Sequence, residues 1–275
     1  MCGTIFLERI IHMKEPAVGT MRVLKNCVLL LKAEKFEDTE DKYDAVLTEQ
    51  GFLVKHLKTL DFKFSNLEQL KYCMLYPNNY EGIIFTTPRA VQGLRKALGS
   101  DILHPDWHHK QNYVVGEATH SLVLNEFCIS CEGKESGNAK NLSTIILNHK
   151  EKIFKPFLFP CGNLKTDTLI RQLHKENIEV QPITIYETIA SSTLEEDFDN
   201  VTSNYVHIPE YFAYFSPSGV YFTYVFLAKL NAIIHEIKFV AIGPTTETAL
   251  KEKHLIVSSV ARKPTPEDLL DAILH

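Results

Sequence analysis

The amino-acid sequence predicts an α/β protein made of two related α/β domains, each a parallel sheet flanked by helices. Three observations carry that expectation. Short apolar runs alternate with segments whose apolar residues recur at helical spacing. Several runs end in a glycine or a hydroxyl residue and pass directly into a helix start, as in Phe85-Thr86-Thr87-Pro88. The same strand-turn-helix pattern then returns in the second half of the chain. A length of 275 residues, 45% hydrophobic and 23% charged, suits two domains of ordinary size with a real core.

The elements follow in order. Met21 to Leu31 reads as a strand centred on Val28-Leu29-Leu30-Leu31, and an acid-rich loop, Glu34 to Asp41, comes after it. Tyr43, Val46 and Leu47 recur at helical spacing, and Gly51 stands where a helix stops. Phe52 to Leu57 is then a second strand, and the opening is a βαβ unit. Gly82-Ile83-Ile84-Phe85 is a strand whose helix has Thr87 as a natural N-cap and Pro88 at its first position. Tyr113-Val114-Val115 runs into Gly116-Glu117-Ala118-Thr119 and a helix. Phe157 to Pro160 runs into Cys161-Gly162-Asn163, after which Leu164, Ile170 and Leu173 mark another helix. Residues 211–228 carry no charge and approach membrane length, but Ser216, Pro217, Ser218 and Gly219 interrupt them. That stretch reads as a strand, a turn and a helix start, and no transmembrane segment is expected.

The repeat has a definite form. Phe85-Thr86-Thr87-Pro88-Arg89-Ala90-Val91 is echoed by Phe215-Ser216-Pro217-Ser218-Gly219-Val220. Val114-Val115-Gly116-Glu117-Ala118-Thr119, downstream of the first, is echoed by Ala241-Ile242-Gly243-Pro244-Thr245-Thr246 downstream of the second. In each a threonine lies three residues after the glycine. Two copies of one α/β unit at similar internal spacing imply two related domains. Such sheets place ligands at the carboxyl ends of their strands, where all four turns lie.

Those turns suit an anion. Helix N-termini present unpaired N–H groups and a partial positive charge, so they hold carboxylate or phosphate without needing lysine. Hydroxyls of Thr87, Thr119, Ser216, Ser218, Thr245 and Thr246 add donors, and Arg89 and Lys165 lie near their helix starts. A hydrogen bond to a charged group contributes about 1.5–3 kcal/mol. Any one of these hydroxyls also has an ordinary reading as a helix cap. Lys238 precedes the strand Phe239-Val240-Ala241-Ile242 and is therefore expected farther from the strand ends.

Other chemistries find no support. A net charge of −5 gives no basic field for nucleic acid. There is no dinucleotide or phosphate-binding glycine loop, no nucleophile elbow and no His-Glu-x-x-His. His108 and His109, beside Pro105 and Trp107, read as part of a surface loop. Of the six cysteines, most sit in apolar stretches, as reduced buried thiols of an intracellular protein do. Cys128 and Cys131 have metal or redox spacing, but no second pair completes a zinc site. Residues 1–20 read as a non-core extension. Glu8 and Glu15 speak against a mitochondrial presequence, and Ile5-Phe6-Leu7 is too short for a secretory signal.

Seven segments in order resemble the uroporphyrinogen-III synthase family, closest to its animal branch. They are Gly82-Ile-Ile-Phe-Thr-Thr-Pro-Arg-Ala-Val, Val114-Val-Gly-Glu-Ala-Thr, Phe159-Pro-Cys-Gly-Asn-Leu-Lys and Ile183-Thr-Ile-Tyr-Glu-Thr. Phe215-Ser-Pro-Ser-Gly, Ile237-Lys-Phe-Val-Ala-Ile-Gly-Pro-Thr-Thr and Lys263-Pro-Thr-Pro-Glu-Asp-Leu complete the set. The resemblance implies a discontinuous domain, 21–57 with 187–275, and an inserted one, 65–181. A two-stranded β-ladder would join them through linkers near 58–64 and 182–186.

It implies the chemistry as well. Hydroxymethylbilane, a linear tetrapyrrole bearing many carboxylates, would lose its hydroxyl to give an azafulvene. It would then close through a spiro intermediate to uroporphyrinogen III with its terminal pyrrole inverted. Neither metal nor organic cofactor is expected. Tyr186 matches the family's hinge tyrosine and is the expected acid. The expected substrate-binding set is Thr86, Thr87, Arg89, Gly116, Thr119, Gly162, Asn163, Ser216, Ser218, Gly219, Lys238, Gly243, Thr245 and Thr246. The protein is expected to be a cytoplasmic monomer, with no membrane or nucleic-acid partner and at most transient contact with the neighbouring pathway enzymes. The rival reading is a non-enzymatic two-domain binding or sensor protein for an anionic small molecule. A nucleotide-sugar transferase ranks below both, because Asp197 and Asp199 lack a supporting metal-binding pattern.

Overall fold

A computed structural model describes residues 20–33, 41–164 and 167–275. The strands are β1 (Arg22–Lys32), β2 (Leu53–Lys58), β3 (Leu60–Phe64), β4 (Gly82–Phe85), β5 (Tyr113–Val114), β6 (Phe157–Gly162), β7 (Val180–Ala190), β8 (His207–Tyr214), β9 (Lys238–Ala241) and β10 (Val257–Val260). The α-helices are α1 (Lys42–Glu49), α2 (Leu67–Met74), α3 (Pro88–Leu98), α4 (Glu117–Phe127), α5 (Ala139–Leu147), α6 (Thr168–Lys175), α7 (Leu194–Val201), α8 (Pro217–Leu227), α9 (Pro244–Glu252) and α10 (Pro266–Leu274). The described residues between 62 and 189 form one compact unit, and those up to Asp61 and from Ala190 form the other. The chain therefore crosses between units inside β3 and β7, which are neighbours in one sheet. Residues 182–186, where a linker is expected from the sequence, lie in the middle of β7 and pair with β6.

The split unit carries a sheet of order β10-β9-β8-β1-β2, with β1 parallel to β2 and β8, and β9 parallel to β8 and β10. Alternation along its central strands sends side chains to both faces. Leu29, Leu31, Phe212, Tyr214 and Phe239 pack on one face with Phe198 of α7, Val220 and Phe226 of α8 and Leu250 of α9. Val28, Leu30, Tyr211, Ala213 and Val240 pack on the other with Leu47 of α1 and Leu269 and Ile273 of α10. Strands buried on both faces read as continuous apolar runs, which is why Val28 to Leu31 has no polar residue.

The inserted unit repeats the scheme with order β3-β7-β6-β4-β5. Ile83, Phe85, Leu158, Ile183 and Ile185 meet α2, α3 and α4 on one face, while Ile84, Phe157 and Phe159 meet α5 and α6 on the other. Position for position, β9-β8-β1-β2 corresponds to β5-β4-β6-β7. Both strands followed by a hydroxyl-Pro turn, β4 and β8, thus pair directly with a glycine-turn strand, β5 and β9. The uncharged stretch 211–228 resolves into the end of β8 and helix α8. Among the described residues no helix is long and apolar enough to cross a membrane.

Candidate active site

In each sheet the strand order reverses beside the hydroxyl-Pro strand. Chain order runs β4 to β5 on one side and continues through β6 on the other, so the switch point lies between β4 and β6. In the split unit it lies between β8 and β1. Such switch points open crevices at the carboxyl ends of strands.

The inserted unit has a cavity of about 330 Å³ at its switch point, lined among others by Thr86, Thr87, Gly162, Tyr186 and Thr188. Thr87 is extended at φ −152° and caps α3: its hydroxyl accepts the Ala90 N–H at 3.3 Å, with Pro88 next in line. The same hydroxyl lies 3.0 Å from the Tyr186 phenol oxygen. Tyr186 is 7% exposed. Its ring packs edge-on to Phe62, at 6.0 Å between centroids, and lies tilted against Phe64 at 6.4 Å. The ring reaches this place because position 162 is glycine: a Cβ there would stand 2.5–2.9 Å from the Tyr186 ring and hydroxyl. Asn163 continues the turn. Its backbone N–H donates to the Tyr186 carbonyl at 3.1 Å and its side-chain oxygen accepts the Thr188 N–H at 3.0 Å.

Electrostatics set the phenol's task. Burial pushes the Tyr186 hydroxyl above its ordinary range, while the Thr87 hydrogen bond and the nearby Arg89 charge pull it down. The guanidinium of Arg89 sits 4.0 Å from the centroid of the Phe62 ring, and Nη1 donates to Gln92 Oε1 at 2.9 Å. Burial draws Arg89 down to about 10, which still leaves it charged at neutral pH. A protonated phenol held at a cavity wall beside a half-buried cation can give a proton to a departing oxygen and tolerate the resulting phenolate. Gly116 caps α4 at φ +80°, a left-handed backbone that glycine adopts without strain.

The split unit's rim is a near copy. Ser216 caps α8, its Oγ accepting the Gly219 N–H at 3.1 Å and lying 3.1 Å from Ser218 Oγ. Gly219 is buried against the fully buried Thr59, whose hydroxyl has no hydrogen-bond partner. Gly243 and Pro244 open α9 with Thr245 exposed at its second position.

Three expected site residues are not brought to either rim as accessible groups. Thr119 and Thr246, the threonines of the glycine echo, are 2% and 1% exposed, so each offers little surface at its helix start. Lys238 opens β9 and so stands at the amino end of a strand whose carboxyl end leads to Gly243. At roughly 3.3 Å per residue that separates it from the rim by about 10 Å. It bonds instead to the Tyr211 hydroxyl at 2.9 Å and to buried Glu210 at 3.2 Å. Glu210 also accepts the Asn26 N–H at 2.9 Å. Lys165 lies outside the described residues.

Sequence reasoning missed Phe62, the face under Arg89, and Asn138, the N-cap of α5 that also lines the cavity. The hydroxyl-free residue Phe62 gave no local signal. Asn138 had a readable one, a capping residue before a helical run. The loop around His108 is not wholly superficial: Trp107 is fully buried and donates to the Met74 carbonyl at 2.9 Å. Cys128 and Cys131 are both free, and burial pushes the Cys131 thiol up to about 12. Among the described residues no three His, Cys, Asp or Glu side chains gather with metal-binding geometry.

Comparison with known proteins agrees with this layout. The family model described as uroporphyrinogen-III synthase HemD matches residues 41–271. A uroporphyrinogen-III synthase of Saccharomyces cerevisiae is 28% identical over 271 residues, covering 90% of this chain and 94% of the yeast protein. Among solved structures, uroporphyrinogen-III synthetase from Helicobacter pylori aligns with a TM-score of 0.58 at 19% identity, covering 90% of this chain and 97% of that one. A mutant uroporphyrinogen III synthase of Thermus thermophilus aligns at 0.54 with 14% identity, covering 90% and 97%. These two likenesses show a shared fold. With the family model spanning most of its length, from the helix after β1 into the last helix, the chain belongs to the uroporphyrinogen-III synthase family.

Proposed function

We propose that this chain closes hydroxymethylbilane to uroporphyrinogen III, inverting the terminal pyrrole and releasing water, with Tyr186 as the acid. Family membership makes it a cyclising lyase of tetrapyrrole biosynthesis on the path to heme. The observation that carries the assignment of Tyr186 is its hydroxyl, 3.0 Å from Thr87 at the wall of the switch-point cavity.

In this mechanism the Tyr186 proton moves to the departing hydroxyl as the carbon–oxygen bond breaks. The pyrrole nitrogen supplies the electron pair and keeps its hydrogen, giving water and a protonated azafulvene whose positive charge faces the new phenolate. The substituted carbon of the far ring attacks to form a spiro centre. That centre fragments and recloses at the other ring position, and the proton lost on rearomatisation returns to the phenolate. Positioned general acids contribute about 10²–10⁴-fold. The larger task is geometric, because the unassisted bilane closes without inversion and its ends must be held for the less direct attack.

The substrate's carboxylates supply the handles. In the inserted unit Thr86, Arg89, Gly116 and Asn163 are the groups available to them, and in the split unit Ser216, Ser218, Gly243 and Thr245. Thr119 and Thr246, which offer little surface, and Lys238, at the far end of β9, are left out of this set. The protein on this reading works as a cytoplasmic monomer whose neighbours in the pathway touch it only transiently.

An isomer-resolved assay on enzymatically made hydroxymethylbilane tests the reaction. Mainly type III product is expected, and exclusive type I product overturns it. Tight binding of the bilane with no turnover would favour a binding protein instead. Tyr186→Phe is expected to lose about 10²-fold or more in kcat with its circular dichroism unchanged. Unchanged turnover would remove Tyr186 from the mechanism.

A further inference from the structure

The Thr87 hydroxyl stands at the meeting of two hydrogen bonds. Its oxygen accepts the Ala90 N–H that starts α3, and it lies 3.0 Å from the Tyr186 phenol oxygen. A threonine hydroxyl has one proton and two lone pairs. With one lone pair committed to the helix cap, its proton is polarised toward a further acceptor, since hydrogen bonds in a chain strengthen one another. Tyr186 offers that acceptor within reach.

We propose that Thr87 is a positioning residue: its hydroxyl donates to the Tyr186 phenol oxygen, which turns the phenol proton away from α3 and toward the cavity. The inference rests on Tyr186 being the acid. It gives Thr87 a role distinct from holding a substrate carboxylate. A donor on the phenol oxygen also stabilises the phenolate left after proton transfer, so Thr87 acts on kcat, whereas a carboxylate contact acts first on KM.

The surroundings of Tyr186 support this division of labour. From β3, Phe62 and Phe64 present aromatic rings without charge. From β6, Gly162 presents bare backbone and Cys161 a buried thiol that works against ionisation. From α3, Arg89 favours the phenolate at longer range, committed as it is to the Phe62 ring and to Gln92. Thr87 is the neighbour with a proton placed against the phenol oxygen itself.

The test follows the phenol directly. Protein carrying tyrosine labelled with carbon-13 at the ring carbon bearing the hydroxyl is titrated by NMR, the Tyr186 signal being assigned by its loss in Tyr186→Phe. Thr87→Val is expected to raise the Tyr186 titration midpoint and to lower kcat about tenfold, with KM changed less than about twofold, the size of one hydrogen bond to a charged group. Thr87→Ser, which keeps the hydroxyl, is expected to restore both the midpoint and kcat. Because valine also removes the cap, Thr87→Gly serves as a second variant: glycine is well tolerated at a helix N-cap, brings neither charge nor hydroxyl, and is expected to shift the midpoint in the same direction. A midpoint unmoved in both Val and Gly variants overturns the proposal, as does a rise in KM with kcat intact. If Tyr186→Phe turns over normally while Thr87→Val still moves the midpoint, the assignment of Tyr186 as acid fails and the hydrogen bond stands.

Discussion

A methyl group at position 162 would lie 2.5 Å from the Tyr186 ring, nearer than van der Waals contact permits. Gly162→Ala therefore forces either β6 or the tyrosine to move. Overpacking of this kind costs about 1–3 kcal/mol. Thermal unfolding is expected to show that loss together with a fall in kcat, while a variant of normal stability and normal kcat would mean the ring has slack that the structure does not show. Glu210 makes a second residue-scale prediction. Burial alone would raise its carboxyl, but the Asn26 N–H, Lys238 and Lys25 together hold it below its ordinary value. The folded protein thus gives up that proton more readily than the unfolded chain. The cluster contributes stability above the ordinary carboxylate range and loses it as pH falls through the lowered value. Urea unfolding between neutral pH and about pH 3 should show a smaller acid loss in Glu210→Gln than in the parent protein. An equal loss in both would show that Glu210 does not set the acid limb. Neither Gly162 nor Glu210 announced its role in sequence. The collision with Tyr186 depends on β6 lying beside β7, and the Glu210 cluster depends on a left-handed Asn26 at an irregularity in β1. The place of Lys238 was legible: a residue just before an apolar strand run stands at that strand's amino end, as Lys238 does in β9.

At the scale of elements, capping decides what was legible. A hydroxyl followed by proline at a strand end is a local instruction, because the cap oxygen and the N–H it receives lie three residues apart. Thr87 and Ser216 behave this way at strand ends and Thr265 does so after the loop that follows β10, each with proline at the first helical position. The strand order was not written locally. That β4 lies between β5 and β6, and so that Thr87 meets Tyr186, follows only from packing of apolar faces far apart in sequence. Caps also separate structure from function. Ser216→Ala and Thr265→Ala each remove a side-chain acceptor for one helix N–H, at 3.1 Å and 3.2 Å, and each is expected to cost about 1 kcal/mol. Ser216 stands at the rim, so its loss should raise KM for the bilane as well. An unchanged KM in Ser216→Ala would reduce Ser216 to a cap.

At the scale of the whole molecule, one unit interrupts the sequence of the other. The inserted unit begins in β3 and ends in β7, adjacent strands of one sheet, so its two ends lie side by side. An insertion with neighbouring ends interrupts its host at little cost, since loop-closure entropy grows only slowly with length. The clusters around Phe85 and Phe157 draw only on residues between 62 and 189, and those around Leu29 and Val28 only on residues outside that span. A fragment spanning Leu60 to Ala190 contains all five strands of its sheet, both apolar faces and the Thr87–Tyr186 pair, within the ordinary size of a domain. It is expected to fold alone, with a single cooperative thermal transition and dispersed amide resonances. A fragment ending at Asp61 holds only β1, α1 and β2 of the other sheet and is expected to remain unfolded, because β1 has lost β8, its partner along most of its length. Should the Leu60–Ala190 fragment prove disordered, the independence of the two cores would fail, and the inserted unit would need its host to close its sheet.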